Sequence, residues 1–288
     1  MAIATRSEGG HNVTVLDKFD LTGRVAIITG GAGLLGRQHA AAIADAGGHA
    51  VLADIADHAL EAAAEVTRDH HVESIGIRVD ITDKDDVKAM TRTVLVRFGC
   101  IDILINNAAL TVRGGGLSAK EYFAPFEEYP LALWQKALDV NLTGMFLCCQ
   151  SVGKVMVDKQ CGVILNIASD VGTISPDHRI YEGARNPHTG EPFNTPIAYA
   201  TTKAAVINFS RYLATYWAAK GIRVNSLSPG GVHAGHDPHF VQNLTRLIPL
   251  DRMAKRDEYQ AAVLFLVSDA SSYMTGSNLI VDGGRTAW

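Results

Sequence analysis

A tyrosine and a lysine four residues apart are the part of the sequence best suited to chemistry. Tyr199 and Lys203 begin a segment in which Val206, Phe209 and Leu213 recur with helical spacing. Residues four apart share a helix face, so the ammonium of Lys203 is expected beside the phenol of Tyr199. A nearby cation lowers the pKa of a phenol from about 10, and such a phenol can exchange a proton with an alcohol or carbonyl oxygen. An ordinary amphipathic helix would give the same pair by chance.

A glycine-rich turn lies between a predicted strand and an alanine-rich helix. Its spacing is Gly31-x-Gly33-x-x-Gly36, which permits a tight turn, close approach of a pyrophosphate, and close helix–strand packing. The N-terminus of the following helix offers N–H groups to phosphates. The context therefore predicts a dinucleotide site.

Acidic residues end the next two predicted strands. Asp54, 23 positions after Gly31, can accept hydrogen bonds from both ribose hydroxyls of NAD and would repel the 2′-phosphate of NADP. Asp80 can accept from the adenine amino group. Helix capping is the alternative role for each carboxylate. Arg37 could hold a 2′-phosphate but is more simply a solvated helix residue, so NAD is favoured over NADP.

Strands and helices alternate along the chain, which predicts a single-domain Rossmann-type α/β fold: a doubly wound parallel sheet with helices on both faces. Residues 1–22 are predicted to be an N-terminal arm, and residues 23–288 an NAD-binding and catalytic domain. The predicted strands are 24–29, 50–53, 74–79, 102–105, 162–168, 223–227 and 278–281. A helix follows the glycine turn and ends near 47, and further helices are predicted at 56–69, 83–98, 131–157, the Tyr199 segment and 257–267. A loop rich in glycine and proline is predicted at 113–130.

Composition narrows the functional class. The chain has 288 residues, 47% of them hydrophobic, and a net charge of −4 with scattered Lys and Arg, which argues against a nucleic-acid partner. The cysteines show no metal-ligand spacing and are expected to be reduced, mostly buried thiols of a cytoplasmic protein. No apolar run is long enough for a membrane span, and no signal core is evident near the N-terminus.

Taken together, the motifs resemble those of the short-chain dehydrogenase/reductase family over residues 19–284. The resemblance rests on Thr29-Gly30 with the glycine loop, Asn106-Asn107-Ala108-Ala109, Asn141, Ser169, Tyr199 with Lys203, Pro229-Gly230, and Asp282-Gly283-Gly284. Length and the Pro-Gly turn are similar to the compact branch. The glycine loop departs from that branch, because glycine stands at Gly33 where the branch would place it at Leu34. This spacing is closer to the longer branch, rich in nucleotide-sugar epimerases and dehydratases, and the blend of features also resembles bacterial sugar and surface-glycan modification members.

The resemblance implies four catalytic residues. Tyr199 would be the general acid/base, and Lys203 would lower its pKa and bind the nicotinamide ribose. Ser169 would bind the substrate oxygen, and Asn141 would support a water that relays protons to Lys203. From the residues alone, Asn141 is an ordinary polar helix position and Ser169 a turn residue at a strand end.

The resemblance also implies a set of cofactor-binding residues. They are Gly30, Gly31, Gly33, Leu34, Leu35, Gly36, Asp54, Asp80, Ile81, Asn107, Ala108, Ala109, Tyr199, Lys203, Pro229, Gly230 and Val232. Ala234 departs from the family, which usually has a hydroxyl residue there for the nicotinamide carboxamide. Backbone groups near Val232 could substitute.

An insertion of about residues 170–196 separates Ser169 from Tyr199. It contains Asp177, His178, Arg179, Tyr181, Glu182, Arg185, Asn186 and His188. Because it starts at the carboxyl end of a strand, we hypothesise that it lines the substrate pocket and makes polar contacts to a hydroxyl-rich or anionic substrate. A solvated or subunit-contact loop is the alternative.

Two further groups of residues invite a binding role. His233, His236 and His239 match no standard metal site, so no metal is expected and a mobile substrate-side loop is favoured. The resemblance implies a homo-oligomer, a dimer or tetramer built on the 131–157 and Tyr199 helices. Core contact within one chain is the alternative role of the surplus apolar residues, which are Phe146, Leu147, Phe209, Tyr212 and Trp217.

The sequence thus predicts an NAD-dependent oxidoreductase that acts on CH–OH groups. It would interconvert a secondary alcohol and a ketone on a small polar substrate, such as a sugar, sugar acid or polyol. Alternatives are a nucleotide-sugar epimerase or dehydratase, a 3-oxoacyl thioester reductase, and a non-catalytic NAD-binding protein.

Overall fold

A seven-stranded sheet organises the chain, as the sequence predicts. The computed structural model describes residues 14–110, 118–186 and 190–288. The strands are all parallel in the order β3-β2-β1-β4-β5-β6-β7. They are β1 Val25–Thr29, β2 His49–Asp54, β3 Ser74–Arg78, β4 Ile103–Asn106, β5 Gly162–Ile167, β6 Ile222–Pro229 and β7 Asn278–Val281.

Helices cover both faces of this sheet. In the described residues they are α1 Leu34–Asp45, α2 Ala59–His70, α3 Lys84–Phe98, α4 Ala119–Tyr122, α5 Leu131–Leu138, α6 Met145–Lys159, α7 Ile197–Trp217, α8 Pro238–Thr245 and α9 Gln260–Val267. Local chemistry sets several ends: Asp83 caps α3 by accepting from two backbone N–H groups, and Gly99 ends it at a φ of 77°.

Two apolar layers hold the helices to the sheet. One face carries Val94 of α3, Met156 of α6 and Val206 of α7, all fully buried with the strand residues beneath them. The other face carries Ile43 of α1 and Val263 of α9, which are buried equally well. Strands buried on both faces read as continuous apolar runs, and this explains the β-branched segments seen in the sequence.

The strand order reverses between β1 and β4, and this reversal opens a crevice at the carboxyl edge of the sheet. Gly30 follows β1 and Ala108 follows β4. A Cβ on Gly30 would lie 2.9 Å from the Cα of Ala108, so the two loops touch there. The fold therefore brings the glycine loop and the Asn107-Ala108-Ala109 segment together.

Three helical predictions need correction. The predicted helix 131–157 is α5 and α6 joined by a π-helical turn, Asp139–Gly144, which holds Asn141. The predicted loop 113–130 contains α4 and a short 3₁₀ helix, Phe126–Glu128. The predicted histidine loop contains α8, whose Asp237 cap accepts from His239 N and Phe240 N ahead of a proline in the first turn.

Several predictions fall wholly or partly outside the described residues. Residues 1–13 of the predicted arm, 113–117 of the predicted loop and 187–189 of the insertion, including His188, lie there. The remainder of the arm forms a 3₁₀ helix, Leu16–Phe19.

The expectation that no segment could span a membrane needs qualification. The helical unit Leu131–Lys159 has 29 residues and a mean hydropathy of 1.3, which meets the length and composition of a spanning helix. Its buried face includes Cys148, Cys149 and Met156, which pack into the sheet, as the core helix of an α/β domain does. All four cysteines are unpaired, but Cys161 is exposed rather than buried.

Candidate active site

The glycine loop is shaped by its own packing. A Cβ on Gly36 would lie 2.1 Å from the Gly30 carbonyl oxygen, and a Cβ on Gly31 would lie 2.7 Å from the Cα of Leu52. Gly30 also has a φ of 62°, which side-chain-bearing residues rarely adopt. These three positions admit only glycine because backbone occupies the space.

Gly33 differs from its neighbours in facing open space. A Cβ there would meet only the Gly30 oxygen, at 3.2 Å. Gly33 is the N-cap of α1, and no side chain caps this helix, whose first residues are Leu34 and Leu35. The uncapped N–H groups above a side-chain-free position form a cradle that fits a pyrophosphate.

Asp54 ties the glycine loop to the end of β2. Its carboxylate accepts from Ala32 N at 3.0 Å and from Ala56 N at 3.1 Å. It does not cap a helix, because the N-cap of α2 is His58. The carboxylate therefore stands beside the phosphate cradle, where a ribose would lie.

Two cations near Asp54 are already engaged in other contacts. Arg37 forms an ion pair with Glu65 and donates from Nε to the Ala32 carbonyl at 3.1 Å. Arg78, opposite Asp54 on β3, pairs with the exposed Asp57 at 3.1 Å. Arg37 is thus an internal contact of the loop, which is neither of the roles expected from the sequence.

Asp80 and Ile81 form the wall after β3. The Asp80 carboxylate accepts from the N–H and hydroxyl of Thr82, at 2.9 and 2.7 Å. The cap of α3 is instead Asp83. Ile81 is buried against Gly144 of the π-helical turn, where a Cβ would lie 2.7 Å from its side chain.

The segment after β4 is fixed to the glycine loop by polar contacts. Asn107 Nδ2 donates to the carbonyls of Thr29 and Gly30, both at 3.0 Å. The Thr29 hydroxyl in turn accepts from the N–H groups of Asn107 and Ala108 at 3.1 Å. With Ala109 next in sequence, these small residues form the floor of the crevice.

The turn after β6 closes the other side. Pro229 ends β6, and the Gly230 carbonyl accepts from the hydroxyl of the buried Tyr259 at 2.9 Å. Val232 bridges Ala254 through its neighbours, because Gly231 O accepts from Ala254 N and His233 N donates to Ala254 O. The N–H and C=O of Val232 itself point to the opposite side of the chain.

Tyr199 and Lys203 lie together on the first turns of α7. The Lys203 Nζ is 5.6 Å from the centre of the Tyr199 ring and donates to the Ile167 carbonyl at 2.7 Å. Lys203 is buried, with 3% of its surface exposed, and burial lowers its pKa to about 8. The predicted juxtaposition is present, and the β5 carbonyl holds the amine in place.

The pKa of Tyr199 differs from the expectation. Burial raises it above the usual phenol value, a hydrogen bond with Ser169 lowers it, and the negative charge of Asp170 raises it. The expected lowering by Lys203 fails in the chain alone, because the lysine is itself desolvated and its Nζ is directed to Ile167. A positively charged nicotinamide ring beside the phenol would supply the missing positive charge.

Ser169 follows β5 and is buried beside an ion pair that the motifs did not indicate. Its hydroxyl donates to Asp170 Oδ1 at 2.9 Å. Asp170 Oδ2 in turn accepts from Arg285 Nη1 at 2.6 Å, although the two residues lie 115 positions apart. Only the adjacency of Asp170 to Ser169 was visible in the sequence.

Asn141 links three elements. Its Oδ1 accepts from Leu110 N at 2.8 Å after β4, and its Nδ2 donates to the Thr202 hydroxyl at 2.9 Å on α7. Both ends of the side chain are therefore engaged within the chain, and they fix α7 next to Lys203. A water-supporting role would fall to the backbone of the π-helical turn.

The insertion lies against α8 through aromatic side chains rather than through its charged ones. Tyr181 stacks on Phe240 with ring centres 5.5 Å apart, and Phe193 lies 5.1 Å from Tyr181 and 5.6 Å from Phe240. Arg179 is 80% exposed and pairs with Asp177, and Glu182 and Arg185 are also exposed. His178 lines a cleft beside α7, and Asp177 lines another that contains Arg285, so the polar lining expected of the insertion stays a prediction.

A hydroxyl, a phenol and an amine therefore meet at the carboxyl edge of the sheet, beside a cradle that fits a dinucleotide. A sequence profile for short chain dehydrogenases matches residues 24–184, and a profile described as enoyl-(acyl carrier protein) reductase matches residues 188–286. The D-threitol dehydrogenase of Mycolicibacterium smegmatis is 34% identical over 273 residues, covering 93% of this chain and 95% of that protein.

Solved structures share the whole architecture. An NAD⁺-bound xylitol dehydrogenase has a TM-score of 0.79 and 29% identity, covering 92% of this chain and 99% of the other. A gluconate 5-dehydrogenase from Burkholderia cenocepacia, in complex with NADP and tartrate, has a TM-score of 0.81 and 30% identity over 96% of this chain and 100% of the other. The fold binds a nicotinamide cofactor and performs oxidoreduction at CH–OH groups. This chain belongs to the short-chain dehydrogenase/reductase family.

Proposed function

We propose that this protein is an NAD-dependent dehydrogenase that interconverts a secondary alcohol and a ketone on a small polyol or sugar acid. The observation that carries the proposal is the meeting of Ser169, Tyr199 and Lys203 beside the Asp54 side of the cofactor cradle. The names of the similar dehydrogenases, which act on threitol, xylitol and gluconate, support the substrate class.

Proton transfer falls to Tyr199. A bound nicotinamide supplies the hydride acceptor for oxidation and the donor for reduction. The Tyr199 phenolate takes the proton of the substrate hydroxyl as the adjoining carbon loses its hydride, so C–H and O–H bonds break while a C=O bond forms. Ser169 holds the substrate oxygen against the phenol, and Lys203 holds the nicotinamide ribose.

The loops after β1, β2, β3, β4 and β6 bind the rest of the cofactor. Gly33, Leu34 and Leu35 offer N–H groups to the pyrophosphate, and Asp54 accepts from the ribose hydroxyls. Asp80 and Ile81 border the adenine, while Asn107-Ala108-Ala109, Pro229, Gly230 and Val232 border the nicotinamide half. Asn141 fixes the position of Lys203 through Thr202.

NAD is the proposed cofactor rather than NADP. The Asp54 carboxylate opposes a 2′-phosphate, and Arg37 and Arg78 are each held by a carboxylate of the chain. Asp54→Asn keeps the shape and one acceptor but loses the charge. We expect the affinity for NAD to fall about tenfold and that for NADP to rise, measured by fluorescence titration. Arg37→Ala is the complementary variant, and loss of NADP binding on that change would overturn the cofactor assignment.

The function is tested by an NAD-reduction screen, followed by absorbance, over tetritols, pentitols, sugar acids and cyclic secondary alcohols. We expect reduction with a polyol or sugar acid. Tyr199→Phe should lower kcat about 10²–10⁴-fold with NAD affinity unchanged, because the ring remains and only the proton exchange is lost.

Tyr212→Phe is the matched control, since Tyr212 lies on the same helix and is 63% exposed. Its activity should equal that of the unaltered protein. Conversion of a nucleotide sugar without net NADH change would instead support the epimerase alternative, and reduction of a 3-oxoacyl thioester would support the thioester alternative.

We further propose a homo-oligomer in the cytoplasm, formed through α6 and α7. Trp217 lies over Gly153 within the chain, and Leu147 and Phe209 pack against the core. Phe146 and Tyr212 are instead 46% and 63% exposed, which leaves them for a second copy. Sedimentation of Tyr212→Glu tests this: an unchanged oligomer mass would exclude α7 from the interface.

A further inference from the structure

A buried ion pair next to Ser169 is not used by the mechanism proposed above. Asp170 and Arg285 are 3% and 7% exposed, and their side chains meet at 2.6 Å. Asp170 lies in the 3₁₀ turn after β5, and Arg285 follows β7. The pair therefore joins the segments that follow these two strands. Desolvating two charges is costly unless further hydrogen bonds complete the pair, so their placement calls for a reason.

The hydrogen bonds of Asp170 point to Ser169. Asp170 Oδ1 accepts from the Ser169 hydroxyl at 2.9 Å and from Val171 N at 2.8 Å, while Oδ2 is held by Arg285. A carboxylate in an ion pair only accepts hydrogen bonds, so the single proton of Ser169 is committed to Asp170. The Ser169 oxygen then faces Tyr199 with its lone pairs, and the Ser169 bond that lowers the Tyr199 pKa forms only when this proton turns from Asp170 to the phenolate.

This commitment affects the phenol in two ways. A phenolate is stabilised when Ser169 donates to it, and Asp170 competes for the same proton. Asp170 also places a negative charge near the phenol, which opposes ionisation, whereas Arg285 balances that charge. The competition for the Ser169 proton and the negative charge of Asp170 therefore both raise the pKa of Tyr199.

We propose that Asp170 and Arg285 form a positioning pair that orients the Ser169 hydroxyl and controls when Tyr199 releases its proton. The pair touches neither the reacting carbon nor its hydrogen, and it acts through Ser169. This inference rests on the proposed role of Tyr199 as general acid/base. The direction of the Tyr199 pKa, raised by burial and by Asp170, agrees with it.

Other titratable groups surround the pair and the phenol. Those that face them are Lys203 on α7, Tyr122 on α4, Asp177 and Tyr181 in the insertion, and Tyr259 before α9. Burial raises the pKa of Tyr122, Tyr181 and Tyr259, so these phenols stay neutral in the range where Tyr199 works. Lys203 is the one member of this group expected to change its charge near pH 8.

The test is the pH profile of kcat/KM for alcohol oxidation in variants of opposite charge change. Oxidation needs the phenolate, so kcat/KM rises with pH through the Tyr199 pKa. This rise is the ascending limb of the profile. Asp170→Asn replaces the carboxylate by a weaker, neutral acceptor for the Ser169 proton and removes the negative charge, and should move this limb about one pH unit lower. Arg285→Met leaves the carboxylate unbalanced and should move it higher by a similar amount.

Two further variants separate control of the proton from simple loss of structure. Arg285→Lys keeps the charge and should restore the profile of the unaltered protein. Asp170→Asn combined with Arg285→Met removes both charges and should return the limb close to its original position. Arg24→Met, which breaks the distant surface pair with Asp269, should leave the profile unchanged.

NMR titration of isotope-labelled tyrosine gives a readout independent of turnover. The Tyr199 resonance, assigned by its absence in Tyr199→Phe, should titrate lower in Asp170→Asn and higher in Arg285→Met. This measurement decides the inference even if no substrate is found. If Asp170→Asn fails to fold, Arg285→Met and Arg285→Lys still decide it: equal titration in both would overturn the proposal, as would shifts of the same sign in Asp170→Asn and Arg285→Met.

Discussion

The cofactor half of the crevice, formed by the loops after β1, β2 and β4, differs in construction from its substrate half, formed by the insertion 170–196 and α8. In the cofactor half, backbone touches backbone: a methyl group added at Gly36 would lie 2.1 Å from a carbonyl oxygen. In the substrate half, side chains from distant segments interdigitate, as Tyr181 and Phe240 do. The first half is set by local geometry, and the second by tertiary packing.

This contrast has a physical consequence for tolerance to change. Backbone contacts leave no rotamer to adjust, so a single added methyl group must move the chain itself. Aromatic clusters can repack when one member is replaced, at a cost in order rather than in fold. The substrate half is thus free to vary in shape while the cofactor half is fixed.

The largest effect is expected from Gly36→Ala. The new Cβ would overlap the Gly30 oxygen, so the loop must shift, with a loss of about 3 kcal/mol in the free energy of unfolding and loss of NAD binding. Thermal unfolding and NAD titration measure the two effects. Gly33→Ala is the matched control: its Cβ meets only one atom at 3.2 Å, so the fold should persist while the pyrophosphate is blocked. Normal NAD binding by Gly36→Ala would refute the backbone account.

The second prediction concerns His39, buried on α1 within the cofactor half. Neither ring nitrogen has a hydrogen-bond partner of good geometry among the described residues, and burial lowers its pKa from 6.5 to about 4, against a smaller opposing effect of Asn107. Between pH 6.5 and 4, His39 is therefore protonated in the unfolded chain but neutral in the folded chain. The free energy of unfolding falls as the pH drops through this range. The loss amounts to about 3 kcal/mol. His39→Leu should remove this part of the pH dependence in chemical denaturation.

The exposed His58 provides a control for that experiment. His58→Gln should leave the pH dependence of unfolding as it is in the unaltered protein, because the His58 side chain is exposed and takes no part in the core. An unchanged slope in His39→Leu would show that the fold can accommodate a charged imidazole under the glycine loop.

The smallest effect is expected from Phe240→Ala in the substrate half. Removing this ring should loosen only α8 and the insertion, raising KM while leaving the NAD affinity intact. Hydrogen exchange of both segments and steady-state kinetics measure it. Phe126→Ala, at a ring 74% exposed, should change neither. If Phe240→Ala weakened NAD binding as much as substrate binding, the two halves of the crevice would not be structurally independent.

The same contrast explains what the sequence could reveal. The glycine loop, Asp54 and the alternation of strands and helices were predictable because each reflects a local backbone requirement. Helix α8 could also be predicted from the sequence, because Asp237 followed by proline is a signal for the start of a helix. The π-helical turn at Asn141 was not, because it depends on how α5 and α6 pack.

Contacts between distant segments could not be predicted from the sequence. Nothing in the composition of either segment pairs Asp170 with Arg285, and their meeting requires β5 and β7 to be placed by the sheet. The outward orientation of Arg179 and the inward orientation of Tyr181 likewise follow from packing against α8. The raised pKa of Tyr199 depends on burial, which spacing alone does not give.

The bond from Ala32 N to Asp54 has an evolutionary consequence. The carboxylate that we propose discriminates between the two nicotinamide dinucleotides also braces the turn that we propose receives their phosphates. A lineage that traded this residue for a small or basic one would loosen the shared phosphate grip in the same step. A change of coenzyme through such a residue would therefore need a second replacement that restores the brace.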